Sequence, residues 1–452
     1  MTTQHDGGVG VSPTRHRALL SAIVAVIVGL SAAIYLGVDA GHGRTDDTLA
    51  APRPAHNRAA PVSTGVWVGT WAAAPVGSEP GTETTGMAGR TVRNVVHTSV
   101  GGTTARITLS NLYGTRPLTV TAATIAVAAG DGPAADAGTL RRLTFDGLPT
   151  LVVRPGEQAV SDAVALAVPA DSDILVSTYT PASSGPVTYH KHARQTGYVA
   201  DGEHTEDVTG TSYTGESTYW RYLTALDVLS DEADGTVVAF GDSLTDGVTS
   251  TAGANRRWPD VLSDRLRAAV ASGADAPRYG VVNEGISGNQ VLADGRGRPA
   301  DNPSGLNRFE RDVLGRPNVK VVIIDLGVND ILRNRALADP DAVVDGLRTL
   351  VHRAHARGIK VVGTTLMPFR GHRGYTDARE DVRRRINALI RSGSVFDELA
   401  DVDKALRDPY DPRRLRSDYD SGDHLHPSDK GYRRMAEVVA LGQLKGSAPA
   451  RL

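Results

Sequence analysis

The chain has 452 residues, of which 40% are hydrophobic and 22% charged, a composition typical of a soluble globular protein. Its formal net charge is −2, so it lacks the excess positive charge with which proteins bind nucleic acids or anionic surfaces. There is no cysteine, which excludes disulfides, thiolate metal sites and cysteine nucleophiles. The length suffices for two or three domains.

The N-terminus carries a pattern typical of export. A basic stretch, residues 15–17, precedes an uncharged apolar run, residues 18–38. This order is that of a signal peptide, and about 20 apolar residues also suffice to span a bilayer. We therefore expect residues 1–40 to be a signal peptide or an N-terminal membrane anchor. The protein would then be secreted, or anchored to the outer face of the cytoplasmic membrane through this segment alone.

The next residues, 41–65, are rich in proline and alanine, a composition that predicts a flexible linker. Short β-rich runs follow, separated by glycine, proline and aspartate. One of them, ARITLSNL (residues 105–112), alternates apolar and polar residues, as a half-buried strand does. Such runs recur at roughly 8 to 20 residues without a helical pattern between them. We predict an all-β, sandwich-like accessory domain over residues 66–230.

The chain from residue 231 to 445 has a different pattern, in which β-branched runs alternate with helical segments. Strands are predicted at 236–240, 279–286, 319–327 and 359–368, and helices at 259–271, 341–357, 377–391 and 429–441. Alternation of this kind predicts an α/β domain whose parallel sheet is covered by helices on both faces. Ligands bind such sheets at the carboxyl ends of the strands.

Polar residues follow three of these strands. GDSL (241–244) follows the first, GISGN (285–289) the second and GVND (327–330) the third. A serine hydroxyl, approachable backbone N–H groups and an amide are the groups that acyl transfer requires, which makes Ser243 the candidate nucleophile. Taken alone, Gly-Asp-Ser is equally explained as a turn that caps a helix. The Gly-x-Ser-x-Gly motif of α/β-hydrolases is absent from the sequence.

A nucleophilic serine needs a histidine base, and the sequence contains 13 histidines. Most lie near the N-terminus, in the β region or on a helix face. DHLHP, just before the last helix, contains His424 and His426. A turn of three residues can fold Asp423 back onto His426 and leave the second ring nitrogen facing a serine. We expect His424 to be a loop or capping residue.

Together, the four blocks resemble the SGNH, or GDSL-type, hydrolases. GDSLTDG, GISGN, GVND and DHLHP occur in that family's order. The resemblance covers about residues 236–441. It implies a flavodoxin-like, three-layer α/β/α SGNH-hydrolase domain with a parallel sheet, preceded here by the all-β domain.

The resemblance also implies roles for single residues. Ser243 would be the nucleophile, His426 the base and Asp423 the carboxylate that orients it. The backbone N–H groups of Ser243 and Gly288 and the side-chain amide of Asn329 would form the oxyanion hole. No cofactor is implied, and the aspartates and histidines of DYDSGDHLHPSD lack an organised metal-ligand spacing.

Three further features are expected near this site. Asp242 is expected to bind local amides in the turn, and Asp330 to cap or brace the third block. The Gly- and Arg-rich segment 289–312 either shapes the substrate pocket or is a plain surface loop.

The β half carries a looser resemblance of its own. VGTWAAAP, TVRNVVHTSVGG and ITLSNLYGTRPL look like the N-terminal region of a bacterial extracellular branch of these hydrolases. That branch is similar to arylesterases and acylhydrolases associated with xylan breakdown. Trp67 and Trp71 are candidates for stacking on sugars, although a place in the core is favoured.

Three functions follow from the sequence. The first is an extracytoplasmic, metal-independent serine esterase that hydrolyses carboxylic esters through an acyl-enzyme. The second is a polysaccharide O-acetyl esterase for acetylxylan-like substrates, with the β domain holding the glycan. The third, of a different class, is a cell-surface carbohydrate-binding module with an inactive hydrolase half, against which the intact catalytic residue types argue. The expected partners are a small ester or an acylated glycan, with no nucleic acid and no obligate protein partner.

Overall fold

The computed structural model describes residues 65–448. The predicted signal peptide or anchor, and all but the last residue of the predicted linker, lie outside the described residues. Between residues 65 and 448, no helix combines the length and the apolar character needed to cross a membrane.

The first part of the described chain consists of short strands and one 3₁₀ turn, Ala137–Thr139. The strands are β1 (Val66–Ala72), β2 (Gly77–Ser78), β3 (Arg90–His97), β4 (Gly102–Ser110), β5 (Leu118–Val120), β6 (Ala122–Val127), β7 (Arg141–Arg142), β8 (Leu151–Val153), β9 (Gln158–Val160), β10 (Val164–Val168), β11 (Asp173–Thr180), β12 (Thr188–His190), β13 (Gly197–Asp201), β14 (Gly215–Ser217), β15 (Trp220–Arg221) and β16 (Leu223–Ser230).

Two antiparallel sheets enclose the core of this part. One has the order β1-β16-β4-β10 with β9 added to β4, and the other has the order β14-β13-β3-β11-β6-β7. Val68 and Ile107 of the first sheet share one hydrophobic core with Val96, Ile125 and Val176 of the second. The alternation in ARITLSNL follows from this packing, because every second side chain of β4 points into that core. The antiparallel β structure expected between residues 66 and 230 is therefore present.

Both tryptophans that were considered for stacking on sugars contact other side chains of the fold. Trp71 is buried and packs edge-to-face on Trp220, with ring centroids 4.9 Å apart. The Arg106 guanidinium lies 4.3 Å from the centroid of the Trp67 ring. Both indoles therefore take part in intramolecular packing.

The second part of the chain alternates strands with helices. Its elements are β17 (Gly235–Gly241), α1 (Ser243–Asp246), α2 (Trp258–Ala271), β18 (Tyr279–Gly285), α3 (Gly305–Phe309) continued by a π-helical turn (Glu310–Leu314), β19 (Val319–Asp325), α4 (Val328–Leu332), α5 (Pro340–His355), β20 (Lys360–Thr364), α6 (Asp377–Arg391), β21 (Glu398–Ala400), α7 (Val402–Leu406), α8 (Asp429–Val438) and a 3₁₀ turn (Leu441–Leu444).

These strands form one parallel sheet in the order β18-β17-β19-β20-β21. Val238 and Phe240 of the central strand face the side covered by α5 and α6, whereas Val237 and Ala239 face the side covered by α2 and α8. Because both faces are covered, the strand is apolar throughout and shows no alternation in sequence. The parallel sheet with helices on both faces agrees with the sequence prediction.

The two parts are in direct contact. The backbone N–H of Gly69 donates to the Thr236 hydroxyl over 3.0 Å, and that of Val281 donates to the Ser99 hydroxyl over 3.0 Å. A Cβ added to Gly280 would lie 2.3 Å from the carbonyl oxygen of Gly69, so these backbones approach as closely as only glycine permits. The antiparallel part therefore packs against the first two strands of the parallel sheet.

Candidate active site

Ser243 stands at the carboxyl end of the central strand. Strand β17 ends at Gly241, and helix α1 begins at Ser243 itself. Between them, Asp242 caps the helix, its carboxylate accepting the backbone N–H of Leu244 over 3.0 Å. The turn that the sequence predicted is thus formed, and it leaves the Ser243 hydroxyl at the edge of the sheet.

His426 lies within hydrogen-bond distance of this serine. Its Nε2 is 2.8 Å from Ser243 Oγ, and its Nδ1 is 2.6 Å from Asp423 Oδ2. A carboxylate only accepts hydrogen bonds, so this network assigns the ring proton to Nδ1 and the lone pair to Nε2. The Nε2 lone pair then faces the Ser243 hydroxyl, which is the arrangement a general base requires.

The carboxylate of Asp423 is held by its own turn. Its Oδ1 accepts the backbone N–H groups of Leu425 at 2.9 Å and His426 at 2.8 Å. Burial would raise the pKa of Asp423, but hydrogen bonds from the side chain and backbone of His426 lower it below its ordinary value. Asp423 is therefore charged where it meets the imidazole.

The histidine loop is attached to the nucleophile loop. The Thr249 hydroxyl donates to the carbonyl of Pro427 over 2.8 Å, and the backbone N–H of Thr251 donates to Asp429 over 2.9 Å. His424 instead binds Asp420, with Nδ1 2.7 Å from Oδ2, and its ring lies against Gly371. The structure therefore gives His424 a contact within its loop.

The three predicted oxyanion donors border one cleft. Ser243, Gly288, Asn329 and His426 all line this catalytic cleft, whose volume is about 560 Å³. The Asn329 amide donates one hydrogen bond to Asp242 Oδ2 over 3.1 Å. An amide nitrogen carries two hydrogens, so this bond fixes the group and leaves the second hydrogen for a ligand.

Gly288 occupies a position that other residues would not tolerate. Its φ is +77°, and an added Cβ would lie 1.9 Å from Nη2 of Arg333. The left-handed backbone favours glycine here, whereas the guanidinium is the end of an exposed, flexible side chain that can move. The loop that follows is braced by Asp330, whose carboxylate accepts the backbone N–H groups of Val291 at 2.8 Å and Leu292 at 3.1 Å.

Burial raises the pKa of two carboxyls behind the site. The pKa of Asp330 rises to about 6, since burial outweighs the hydrogen bonds from Val291 and Leu292. The pKa of Asp242 lies well above its ordinary value because the group is buried and Asp325 is close. Asp242 binds a local amide in its turn, as expected, whereas the carboxylate of Asp330, expected to cap or brace the third block, binds the loop that follows Gly288.

The segment 289–312 does not line the catalytic cleft. Its helix α3 instead supplies Arg308, which is 1% exposed and lies beneath the site. The Arg308 guanidinium donates to the carbonyls of Gly241 at 2.8 Å and Glu284 at 2.7 Å and to the side chain of Asn289 at 2.9 Å. It therefore ties together the ends of the two strands that precede Ser243 and Gly288.

The antiparallel part, residues 66–230 (the β part), contributes a histidine that was not among the predicted site residues. His190, at the end of β12, is 5% exposed. Its Nε2 lies 3.0 Å from Asp246 Oδ1, and its Nδ1 lies 2.7 Å from the carbonyl oxygen of Ala74. Both neighbours are acceptors, so both ring nitrogens donate and the ring is an imidazolium. Burial would lower the pKa of His190, but the charge of Asp246 and its hydrogen bond raise it.

Asp246 connects this histidine to the oxyanion loop. Its other oxygen accepts the backbone N–H of Ser287 over 3.0 Å and also accepts the Ser287 hydroxyl. Burial would raise the pKa of Asp246, but the charge of His190 lowers it. A side chain of the β part therefore supports the residue next to Gly288.

His192, two residues further on, lines the catalytic cleft. Burial and the neighbouring cations His190 and Lys191 lower its pKa. The only sequence signal for either histidine was the His-Lys-His spacing at the end of a strand, which by itself is weak. Among the described residues, no group of three or more histidine, aspartate or glutamate side chains is placed to hold a metal ion.

The sequence also matches a known protein family. Residues 239–434 match the sequence model of the GDSL-like lipase/acylhydrolase family, which covers less than half of the chain. No curated protein matches the sequence.

Several solved structures are similar to part of the chain. A GDSL-like lipase from Bacteroides thetaiotaomicron is 21% identical, with 46% of this chain and 86% of its own covered and a TM-score of 0.33. An acetyl xylan esterase is 20% identical over 45% of this chain and 96% of its own, with a TM-score of 0.34. A carbohydrate acetylesterase from Sinorhizobium meliloti is 18% identical over 45% and 96%, with a TM-score of 0.35.

The family match includes the Ser243 turn, the Gly288 and Asn329 loops and the Asp423–His426 pair. Residues 239–434 therefore form a domain of the GDSL-like lipase/acylhydrolase family, and the protein is a carboxylic ester hydrolase.

Proposed function

We propose that this protein hydrolyses carboxylic esters through an acyl-enzyme on Ser243, with His426 as the base and Asp423 as its orienting carboxylate. The observation that carries the proposal is the 2.8 Å contact between Ser243 Oγ and His426 Nε2. Ser243 is only 7% exposed, so its hydroxyl meets a ligand from the cleft side alone.

The reaction has two halves. His426 Nε2 takes the proton as Ser243 Oγ attacks the ester carbonyl, and the imidazolium then gives that proton to the departing alcohol. In the second half, His426 takes a proton from water as the water oxygen attacks the acyl carbonyl. The imidazolium then returns this proton to Ser243 Oγ as the acyl–Oγ bond breaks, which releases the carboxylic acid and restores the serine hydroxyl. Asp423 keeps the ring in the same tautomer and stabilises its charged form throughout.

The oxyanion formed in each half lies beside Gly288 and Asn329 in this proposal. The backbone N–H groups of Ser243 and Gly288 and the Asn329 amide would donate to it. A single donor of this type lowers the barrier by roughly 3 to 4 kcal/mol. The bond from Asn329 to Asp242 supports this role because it fixes the amide before substrate arrives.

Turnover of 4-nitrophenyl acetate tests the proposal. Ser243→Ala is expected to reduce kcat by about 10⁴-fold or more with an unchanged unfolding transition, since it removes only one hydroxyl. Ser272→Ala, at the exposed end of α2, is the matched control and should retain wild-type turnover. Wild-type rates in Ser243→Ala would refute the assignment.

A second candidate is an esterase for acyl groups on a glycan. A smaller cleft of about 170 Å³ adjoins the catalytic cleft, shares His192, Ser287 and Arg333 with it, and is lined by Val76 and Lys191 of the β part. A substrate longer than a simple ester would fit along both. Release of acetate from acetylated xylan at a higher kcat/KM than from 4-nitrophenyl acetate would favour this candidate, whereas the reverse order would favour a small ester.

We also propose that the protein acts outside the cytoplasm. The basic residues 15–17 and the apolar run 18–38 support export. Cell fractionation followed by N-terminal sequencing tests this proposal. Loss of about the first 40 residues from secreted protein would identify a signal peptide, and an intact chain in the membrane fraction would identify an anchor. Intact protein in the cytoplasm would contradict both.

A further inference from the structure

Three basic side chains border the two clefts. Arg333 and Arg373 line the catalytic cleft, and Lys191 lines the adjoining one. None of the three forms an ion pair within residues 65–448. The nearby carboxylates are already engaged, since Asp246 binds His190 and Asp423 binds His426.

This excess of positive charge is local. The whole chain carries a formal net charge of −2. Two neighbouring arginines are neutralised: Arg370, three residues before Arg373, pairs with Asp411, and the buried Arg383 pairs with Glu380. Arg333 and Arg373 have no such partner among the described residues, and both line the cleft that contains the nucleophile.

The position of Arg333 follows from that of Asn329. Arg333 comes four residues after Asn329, so both project from the same face of the turn that α4 forms. Its backbone N–H donates to the Asn329 carbonyl over 2.9 Å, and its guanidinium lies directly over Gly288. A positive charge is thereby placed beside the loop of the predicted oxyanion hole.

Two histidines of the cleft respond to these cations. Burial and the charge of Arg373 lower the pKa of His372, although Asp423 opposes this shift. The pKa of His192 is lowered by burial and by nearby cations that include Lys191. Both imidazoles are therefore biased toward the neutral form, in which they can hydrogen-bond a ligand without adding charge.

We infer that the ester hydrolysed here carries an anionic group, a carboxylate or a phosphate, that Arg333 and Arg373 bind. The inference rests on the proposed function of Ser243. A guanidinium presents paired N–H donors that match the oxygens of either anion, and a bound anion would neutralise charges that the protein leaves unpaired. The cleft of about 560 Å³ has room for such a group beside the ester.

Matched ester pairs test the inference. 4-Acetoxybenzoate is compared with its methyl ester, in which the alcohol portion of the substrate carries no charge. Phenyl hydrogen succinate is compared with methyl phenyl succinate by phenol release, which removes a charge from the acyl side. 4-Acetoxyphenyl phosphate is compared with 4-methoxyphenyl acetate, which has an uncharged group at the same position, to distinguish phosphate from carboxylate. The wild type should prefer the anionic member of at least one pair by about tenfold in kcat/KM, and less so in 0.5 M salt.

Substitution of the arginines identifies the source of the preference. Arg333→Gln and Arg373→Gln should each reduce the anionic-to-neutral ratio of kcat/KM by about fivefold or more. Both side chains are exposed, so the variants should fold. Arg335→Gln, an exposed arginine in the same loop that does not line the cleft, should leave the ratio unchanged.

The outcomes distinguish a failure of this inference from a failure of the proposed function. If the wild type cleaves neutral esters through Ser243 but prefers no anionic member, the esterase assignment stands and the anion site is wrong. A preference that survives both arginine substitutions also overturns the anion site. If Ser243→Ala keeps full turnover, the proposed function itself fails.

Discussion

The parallel and antiparallel parts of this molecule contribute to the site in different ways. The parallel part places Ser243, Gly288 and Asn329 after three neighbouring strands, β17, β18 and β19. All strands of a parallel sheet end on the same side, so loops far apart in sequence meet there. Antiparallel strands end alternately on opposite sides, and the residues that the β part brings to the clefts come from separate loops.

The most direct contribution of the antiparallel part is the stretch from His190 to His192. His190 supports the oxyanion loop through Asp246, and His192 forms part of the cleft wall. The parallel part thus supplies the reacting groups, and the antiparallel part contributes support and part of the cleft wall. Substitutions of Ser243, His426 or Asn329 in the parallel part should therefore slow the reaction itself, whereas substitutions of His190 or His192 should change stability or binding.

The largest effect is expected at His426. His426→Asn removes the base and should reduce kcat by about 10⁴-fold or more. His424→Asn is the matched control, because His424 lies two residues away but binds Asp420. It should retain turnover within about threefold, which is the usual range for an exposed loop substitution. Steady-state kinetics on one ester checks both, and equal losses would show that the loop rather than the base had been damaged.

The second prediction concerns the contribution of His190, in the β part, to the free energy of unfolding. His190→Gln leaves Asp246 buried without its charged partner and should lower the free energy of unfolding by about 3 to 5 kcal/mol. Denaturant unfolding measures this difference. A loss of less than about 1 kcal/mol would mean that the pair does not connect the two parts energetically.

The same variant has a predicted pH dependence. The raised pKa of His190 means that its contribution is fully present below the ordinary histidine value of about 6.5 and is lost as pH rises through the raised pKa. The lowered pKa of Asp246 means that its contribution is present above about pH 4 and is lost on further acidification. The stability gap between wild type and His190→Gln should therefore be widest between about pH 4 and 6.5. A gap that widens above pH 8 would contradict the ion pair.

The third prediction concerns the effect of Asn329, in the parallel part, on kcat. Asn329→Ala removes one oxyanion donor and should lower kcat by about 10²- to 10³-fold with little change in KM. Asn334→Ala, an exposed asparagine after the same helix, is the control and should behave as wild type. A rise in KM at constant kcat would instead assign Asn329 to ground-state binding.

The smallest effect is expected at His192. Its side chain touches the cleft but contacts neither Ser243 nor His426 by a hydrogen bond. His192→Ala should change kcat/KM by less than about tenfold, mainly through KM. His204→Ala, in the same β part but away from the cleft, should have no effect. A loss of kcat as large as that of Asn329→Ala would mean that His192 takes part in the chemical step. That result would contradict the division of roles between the two parts.

The sequence was most informative where interactions are local. Asp423 and His426 are three residues apart, and one turn brings them into contact, so their pairing could be predicted. The strands of the parallel sheet were also predicted because each is a continuous apolar run. Strand β21, with three residues, was too short to leave such a pattern.

The interactions that the sequence did not reveal depend on how the two parts pack. His190 and Asp246 are 56 residues apart, and they end two different elements, strand β12 and helix α1. Nothing in either stretch indicates the other, because the pairing exists only once β12 lies against the catalytic loops. The role of Arg308 was missed for a related reason: it ties the two strand ends together through the backbone carbonyls of Gly241 and Glu284, which leave no trace in a sequence.

The most direct test of Ser243 as the nucleophile is covalent labelling. Wild-type protein is treated with a fluorophosphonate, and the modified residue is located by peptide mass spectrometry. We expect stoichiometric labelling at Ser243 with parallel loss of ester hydrolysis, and no labelling of the unfolded chain. Failure to label while ester hydrolysis persists, or a label on another serine, would contradict the assignment. Failure to label together with no hydrolysis of any ester would instead favour a binding module with an inactive hydrolase half.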